Sequence, residues 1–442
     1  MIKANKAVLA LAALSLLGGC GIFRGSGNTP KSAVLGERVA ILTSESGVEV
    51  EPSLADVAVL LPNAAPNEAW TQPGGSATKS MGHLALGTLL TTAWTAKIEG
   101  ASKEARLAAA PVIADGKLYA MDTGARIHAF DAGSGRALWS VQFGDGGKNG
   151  AALFGGGVSV DGAFLYATNG LGDVGALNVA DGKTVWVKRP GGPLRGAPTV
   201  ALGNVYVMSQ DNQLIALAAA DGAVQWTESS AVQLAGVFGV AAPAVGQGTV
   251  VAGFSSGDLN AYRYENGRTV WQDALSRTSI NTSVGTLSDI DAGPVIDQGR
   301  VFAIGQGGRM VSLELVTGQR LWEINIAGIS TPWVAGEWLF VVTDEAKLLC
   351  IARPTGKIRW VTQLKRYRKA KSKNGPVSWT GPVLGGGGLI VASSEGDLVR
   401  VNPQDGSVRG TTEVGAPMFL PPVIANSMLY VLDNSGKITA YR

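Results

Sequence analysis

The stretch Asp181-Gly182-Lys183-Thr184-Val185-Trp186 decides the fold. A small polar residue and a glycine form a turn, three residues follow, and a tryptophan ends the unit. Asp-Gly supplies a turn with positive φ at little steric cost. The residues after it read as a strand that carries the indole on one face. The unit recurs at Ser134-Gly135 with Trp139, Asp221-Gly222 with Trp226, Asn266-Gly267 with Trp271, Thr317-Gly318 with Trp322 and Thr355-Gly356 with Trp360. A further copy, Asp405-Gly406, has Gly410 where the tryptophan would stand. Successive glycines are 38 to 51 residues apart, a period that suits four short strands per repeat. A tryptophan buries roughly 150–250 Å², so one per repeat can pack between neighbouring sheets.

Each unit is preceded by a second marker: a proline, one residue, then Val, Ile or Leu, then a glycine-containing turn and a strand. It stands at Pro111, Pro198, Pro243, Pro294, Pro332, Pro382 and Pro422, and Val158 holds the proline position in the second repeat. Proline is tolerated where a strand begins, because no ladder N–H is lost there. Eight strand starts predict an all-β, eight-bladed propeller over residues 70–442. The last repeat, from Pro422, has three strands and lacks the tryptophan-bearing fourth. An orphan strand with Trp94 precedes the first repeat. Joining the two completes the eighth blade, closes the ring and leaves no open sheet edge.

Composition agrees with this class. Charged residues are 16% of the 442 and glycines number 61, which suits many short strands joined by tight turns. The net charge of +3 is too small to argue for nucleic acid. The two cysteines, Cys20 and Cys350, and two histidines, His83 and His128, show no zinc-site spacing. Cys350 falls on an apolar strand and reads as a small buried hydrophobe. His83 reads as a surface or packing residue, and His128 as an ordinary strand histidine.

The first residues read MIKANKAVLALAALSLLGGC. Lys3 and Lys6 are followed by an apolar run from Ala7 to Leu17, too short to span a bilayer and suited to a signal peptide over residues 1–19. Leu17-Gly18-Gly19-Cys20 resembles the bacterial lipobox. That resemblance implies acylation of Cys20 and cleavage before it, and Gly21 as the second mature residue implies an outer-membrane destination. With Cys20 so used, Cys350 has no disulfide partner. Residues 20–69 read as the lipidated N-terminus and a linker.

The repeats resemble the quinoprotein-type propeller repeat, shared by quinone-dependent dehydrogenases and by the BamB lipoproteins of the β-barrel assembly machinery. The lipobox favours the second, as do residues 49–62 and 71–87, which are similar to the lead-in segments of alphaproteobacterial BamB proteins. Membership would imply a non-catalytic scaffold, with no cofactor, metal or small-molecule substrate. It would bind the POTRA domains of BamA and aid insertion of β-barrel proteins into the outer membrane, anchored there by lipid and facing the periplasm. The alternatives are a quinone-dependent dehydrogenase-like propeller, for which no vicinal Cys-Cys pair is present, and a scaffold of another envelope complex.

In BamB the partner patch carries Leu-Ser-Leu-Arg in one loop and Leu-Ser-Asp-Val-Asp in another. Here Gly192-Pro193-Leu194-Arg195 keeps the Leu-Arg half, and Leu287-Ser288-Asp289-Ile290-Asp291 matches closely. The resemblance thus assigns Leu194, Arg195, Asp289 and Asp291 to partner binding. Arg195 and Asp291 each lie three residues before a strand-opening proline. The equivalents in the other repeats are Ala108, Gly155, Val240, Ile329, Trp379 and Phe419. Two of eight positions are therefore charged, with opposite signs, beside the expected central channel; a purely internal network among them is the competing reading. Lys365 to Lys373 packs six basic residues into nine between repeats six and seven. It reads as a solvated loop or as a contact for acidic headgroups or an acidic partner.

Overall fold

A computed structural model describes residues 48–145, 155–231, 241–275 and 288–442. Eight four-stranded antiparallel sheets follow one another as the blades of a propeller, with one added two-stranded ribbon. Blades 1 to 8 take the chain order of their inner strands. These are Val112–Ala114, Val158–Asp161, Thr199–Ala201, Ala244–Gly246, Val295–Asp297, Trp333–Ala335, Trp379–Gly385 and Val423–Ala425. Six of the seven marker prolines directly precede these strands. Pro382 instead lies inside Trp379–Gly385, at a register shift between Thr380 and Val383, where no ladder N–H is required.

The three inner strands of each blade are almost wholly buried, whereas the outer strand alternates. Val224–Ser229, for example, fully buries only Trp226. That tryptophan locks the blade to the next one. The Trp226 Nε1 donates to the Tyr264 carbonyl of blade 4 at 2.9 Å. Trp139, Trp186, Trp271, Trp322 and Trp360 repeat the bond into the following blade at 2.8–3.2 Å. The repeat's glycine is where the ring lands. Gly318 has φ 72°, and a Cβ there would sit 2.5 Å from the Trp271 Cγ.

The strand Thr92–Lys97 pairs antiparallel with Lys437–Tyr441 in the eighth sheet. Its Trp94 donates to Ala132 of blade 1 at 2.9 Å, in the same bond the other tryptophans make. Blade 7 carries no such tryptophan: Gly410 faces Arg400 across the sheet. Residues 84–91 fill this seam. Leu84 and Leu86 are buried in the core there, and Arg400 donates to the Thr88 carbonyl.

The residues before the blades are more structured than a linker. Val50 bridges to Ile358, Val59 is buried, and Gln404 donates to the Val59 carbonyl at 2.7 Å. Residues 67–84 then make one circuit of the centre, meeting the inner strands in ring order. The Asn67 carbonyl accepts from Asn426 of blade 8, and Trp70 exchanges two bonds with Ile113 of blade 1. Thr71, Ala77 and Thr78 accept from Val160, Val245 and Ile296 of blades 2, 4 and 5. The Gln72 side chain meets Val200 of blade 3, and Gly82 accepts from Trp333 of blade 6. Leu84 donates to Leu384 of blade 7. The channel-facing edges of the inner strands would otherwise present unpaired backbone groups, so this collar completes the sheets from within.

Candidate functional site

An antiparallel four-stranded blade begins its inner strand and ends its outer strand on the same face. The described connections between blades therefore stand on one face, around the central channel. Arg195 lies in the connection into blade 3, and Asp289 and Asp291 in that into blade 5. The structure brings them together. Arg195 Nη1 stands 3.5 Å from Asp289 Oδ1, and Nη2 donates to Asn212 Oδ1 at 3.0 Å. Asn212 Oδ1 also accepts from Ser255 Oγ of blade 4 at 2.9 Å. Gln306 donates its side-chain amide to Asp291 Oδ2 at 2.8 Å and its backbone N–H to the Asp289 carbonyl at 2.9 Å. One polar network thus ties blades 3, 4 and 5 at the channel mouth.

Burial sets its electrostatics. Arg195 is 6% exposed and Asp289 1%. Desolvation raises the Asp289 carboxyl despite the Arg195 charge. Desolvation, then the neighbouring Asp289 charge, pushes Asp291 up to about 7. Asp289 Oδ2 and Asp291 Oδ1 have no donor among the described residues. The pair is satisfied when one carboxyl keeps a proton and shares it with the other. Leu194 is fully buried in a core cluster with Tyr166 and Trp186. As they stand, these side chains form the footing of the loops rather than their outer surface. Leu287 and Cys20, and with Cys20 the signal peptide, lie outside the described residues.

At the same mouth lies a cavity of about 160 Å³. Ala108, Asp291, Ile329 and Phe419, four of the eight equivalent loop positions, line it together with Trp70 and Lys79 of the collar. Phe419 and Ile329 are 54% and 48% exposed. Sequence reasoning missed Lys79, Asn212 and Gln306. The signal for Lys79 was the lone charge among the small residues of Gly74 to Met81.

The basic segment also stands on this face. It forms a ribbon, Tyr367–Lys369 with Asn374–Pro376. Lys365 and Arg368 pair with Glu395, and Arg366 approaches Glu345 at 3.7 Å. Half of its cations are thus answered by the chain's own acids. The histidines and Cys350 are structural. His83 bridges the Pro62 carbonyl and the Gly387 N–H, His128 meets Asp122 at 2.8 Å, and burial pushes the Cys350 thiol up. Among the described residues no three His, Cys, Asp or Glu stand together as metal ligands would.

Fold and site together define an eight-bladed propeller of the quinoprotein type with a charged, loop-built face around its channel. A family model described as outer membrane protein assembly factor BamB matches residues 123–362 and 364–442. A protein of that name from Salmonella typhimurium is 30% identical over 356 residues, covering 79% of this chain and 88% of its own length. The chain belongs to the BamB family. The crystal structure of BamB from Moraxella catarrhalis, 18% identical, superposes with a TM-score of 0.65 over 80% of this chain and 98% of that one. The quinohemoprotein alcohol dehydrogenase of Comamonas testosteroni reaches the same TM-score at 14% identity, over 90% of this chain and 83% of that one. That likeness is one of fold alone.

Proposed function

We propose that the chain is a non-catalytic lipoprotein scaffold of the outer-membrane β-barrel assembly machinery, docking the POTRA domains of BamA on its loop face. Membership of the BamB family supports the role in outer-membrane protein assembly. The observation that carries the choice of face is the Arg195–Asp289–Asp291 network. It brings two loops with family-like sequence onto one footing, beside exposed Phe419 and Ile329. Acylated Cys20 holds the scaffold at the outer membrane, facing the periplasm. Leu194, Arg195, Asp289 and Asp291 serve the contact, as the resemblance implies, by holding the loops in a single arrangement. Rigid scaffolds commonly present binding loops this way.

The test is a titration of the purified chain with the POTRA domains of its own BamA. Phe419→Glu changes an exposed residue, so it should leave melting unaltered and cost about 2 kcal/mol of binding or more, as a central interface residue does. Arg195→Ala should weaken binding and lower the melting temperature together. Unchanged affinity in both variants would move the contact off this face.

A further inference from the structure

We propose that the central cavity binds a carboxylate carried on an apolar body, with the Lys79 ammonium as its anchor. Lys79 lies on the collar at the cavity wall and is 3% exposed. An ammonium has three donors; Lys79 Nζ has one described acceptor, the Pro73 carbonyl at 3.1 Å. No carboxylate lies within ion-pair reach of it among the described residues. The position is constructed rather than incidental. Lys79 takes a positive φ of 62°. Gly74 and Gly293 leave room for its stem, since a Cβ on either would come within 2.9 Å of it. Without a partner, burial lowers its pKa to about 7.

The rest of the cavity fits an apolar body. Trp70 and Trp333, stacked with centroids 6.1 Å apart, stand with Pro111, Pro332 and Leu420. The only other titratable group in the described lining is Asp291, whose pKa is also raised to about 7. As pH rises through 7, Lys79 loses its charge and Asp291 gains one. Both changes oppose an anion, so affinity should fall with rising pH. The ligand is held and not changed; the cavity shares Asp291, Ile329 and Phe419 with the proposed docking face, and titrating the chain without BamA reads the ligand site alone.

The experiment is calorimetric titration of the purified full chain with 4-phenylbutyrate, against 4-phenylbutanol, which shares the apolar body without the charge. Saturable binding of the acid is expected, at least tenfold tighter than the alcohol. It should weaken at least about tenfold per pH unit above 7, one decade from the lysine and a further loss from Asp291. Lys79→Met should lose the preference for the acid and melt no lower than wild type. Should that variant fail to fold, the pH profile of Asp291→Asn decides, because it leaves Lys79 the only titratable group in the described lining. Acetyl-trileucine with a free C-terminus, against its amide, tells whether a polypeptide end reaches the ammonium as a small acid does. No binding of either acid, equal binding of acid and alcohol, or an affinity flat from pH 6 to pH 8 would overturn the proposal.

Discussion

Arg195 shows what one buried charge contributes and what it risks. Its guanidinium is opposed by Asp289 and Asn212 and sealed from water. Such a pair adds little net stability over an apolar replacement, but removing one partner strands the other and costs about 3–5 kcal/mol. Arg195→Ala should show a loss of that order in denaturant unfolding. Asp291 behaves differently. The folded chain holds its proton up to about 7, whereas an unfolded chain releases it near 3.9. The folded state thus binds the proton more tightly, and the resulting stability is full below about pH 4 and lost as pH climbs through 7. Asparagine carries no such loss. The melting temperature of Asp291→Asn relative to wild type should therefore rise from pH 5 and level off above about pH 7. A difference that stays flat across this range would mean that the carboxyl is ionised throughout.

At the scale of elements, one joint differs from the rest. Six joints use a tryptophan of one blade on the glycine turn of the next, and the eighth blade meets the first through Trp94 in the same manner. Truncating one such indole, as in Trp271→Ala, should cost about 3–5 kcal/mol, the usual loss for a buried aromatic. The joint between blades 7 and 8 has Gly410 instead and relies on residues 84–91. Deleting Lys437 to Arg442 removes the partner of the Trp94 strand and leaves two edges, so melting should fall by far more than six residues suggest. Melting within a few degrees of wild type would show that the ring holds without this pairing. The blades were legible because glycine turns, prolines and tryptophans each act locally, within one hairpin or between adjacent sheets. The collar was not. Residues 67–84 have no strand period of their own, since their bonds go to eight different strands. The burial of Arg195 and Leu194 was equally hidden, because loop position fixes the face but not the depth.

At the scale of the whole molecule, the proposed function gives anchor and face to different parts of the chain. Among the described residues no helix is long and apolar enough to cross a membrane, and the lipobox cysteine precedes every described element. If Cys20 carries several acyl chains, each buried methylene contributes about 0.8 kcal/mol, and attachment is stable without any protein span. Cys20→Ala should then yield an unlipidated form that no longer fractionates with the outer membrane. The described blades, collar and loop face are built from residues 48 onward. Affinity for the POTRA domains, measured in solution, should therefore match that of the acylated chain within a factor of about two. Membrane loss with intact docking would place localisation in the lipid and recognition in the propeller. Labelled palmitate incorporated by the Cys20→Ala chain at the wild-type level would refute the lipobox reading. Docking lost together with the lipid would show that anchor and face act as one surface.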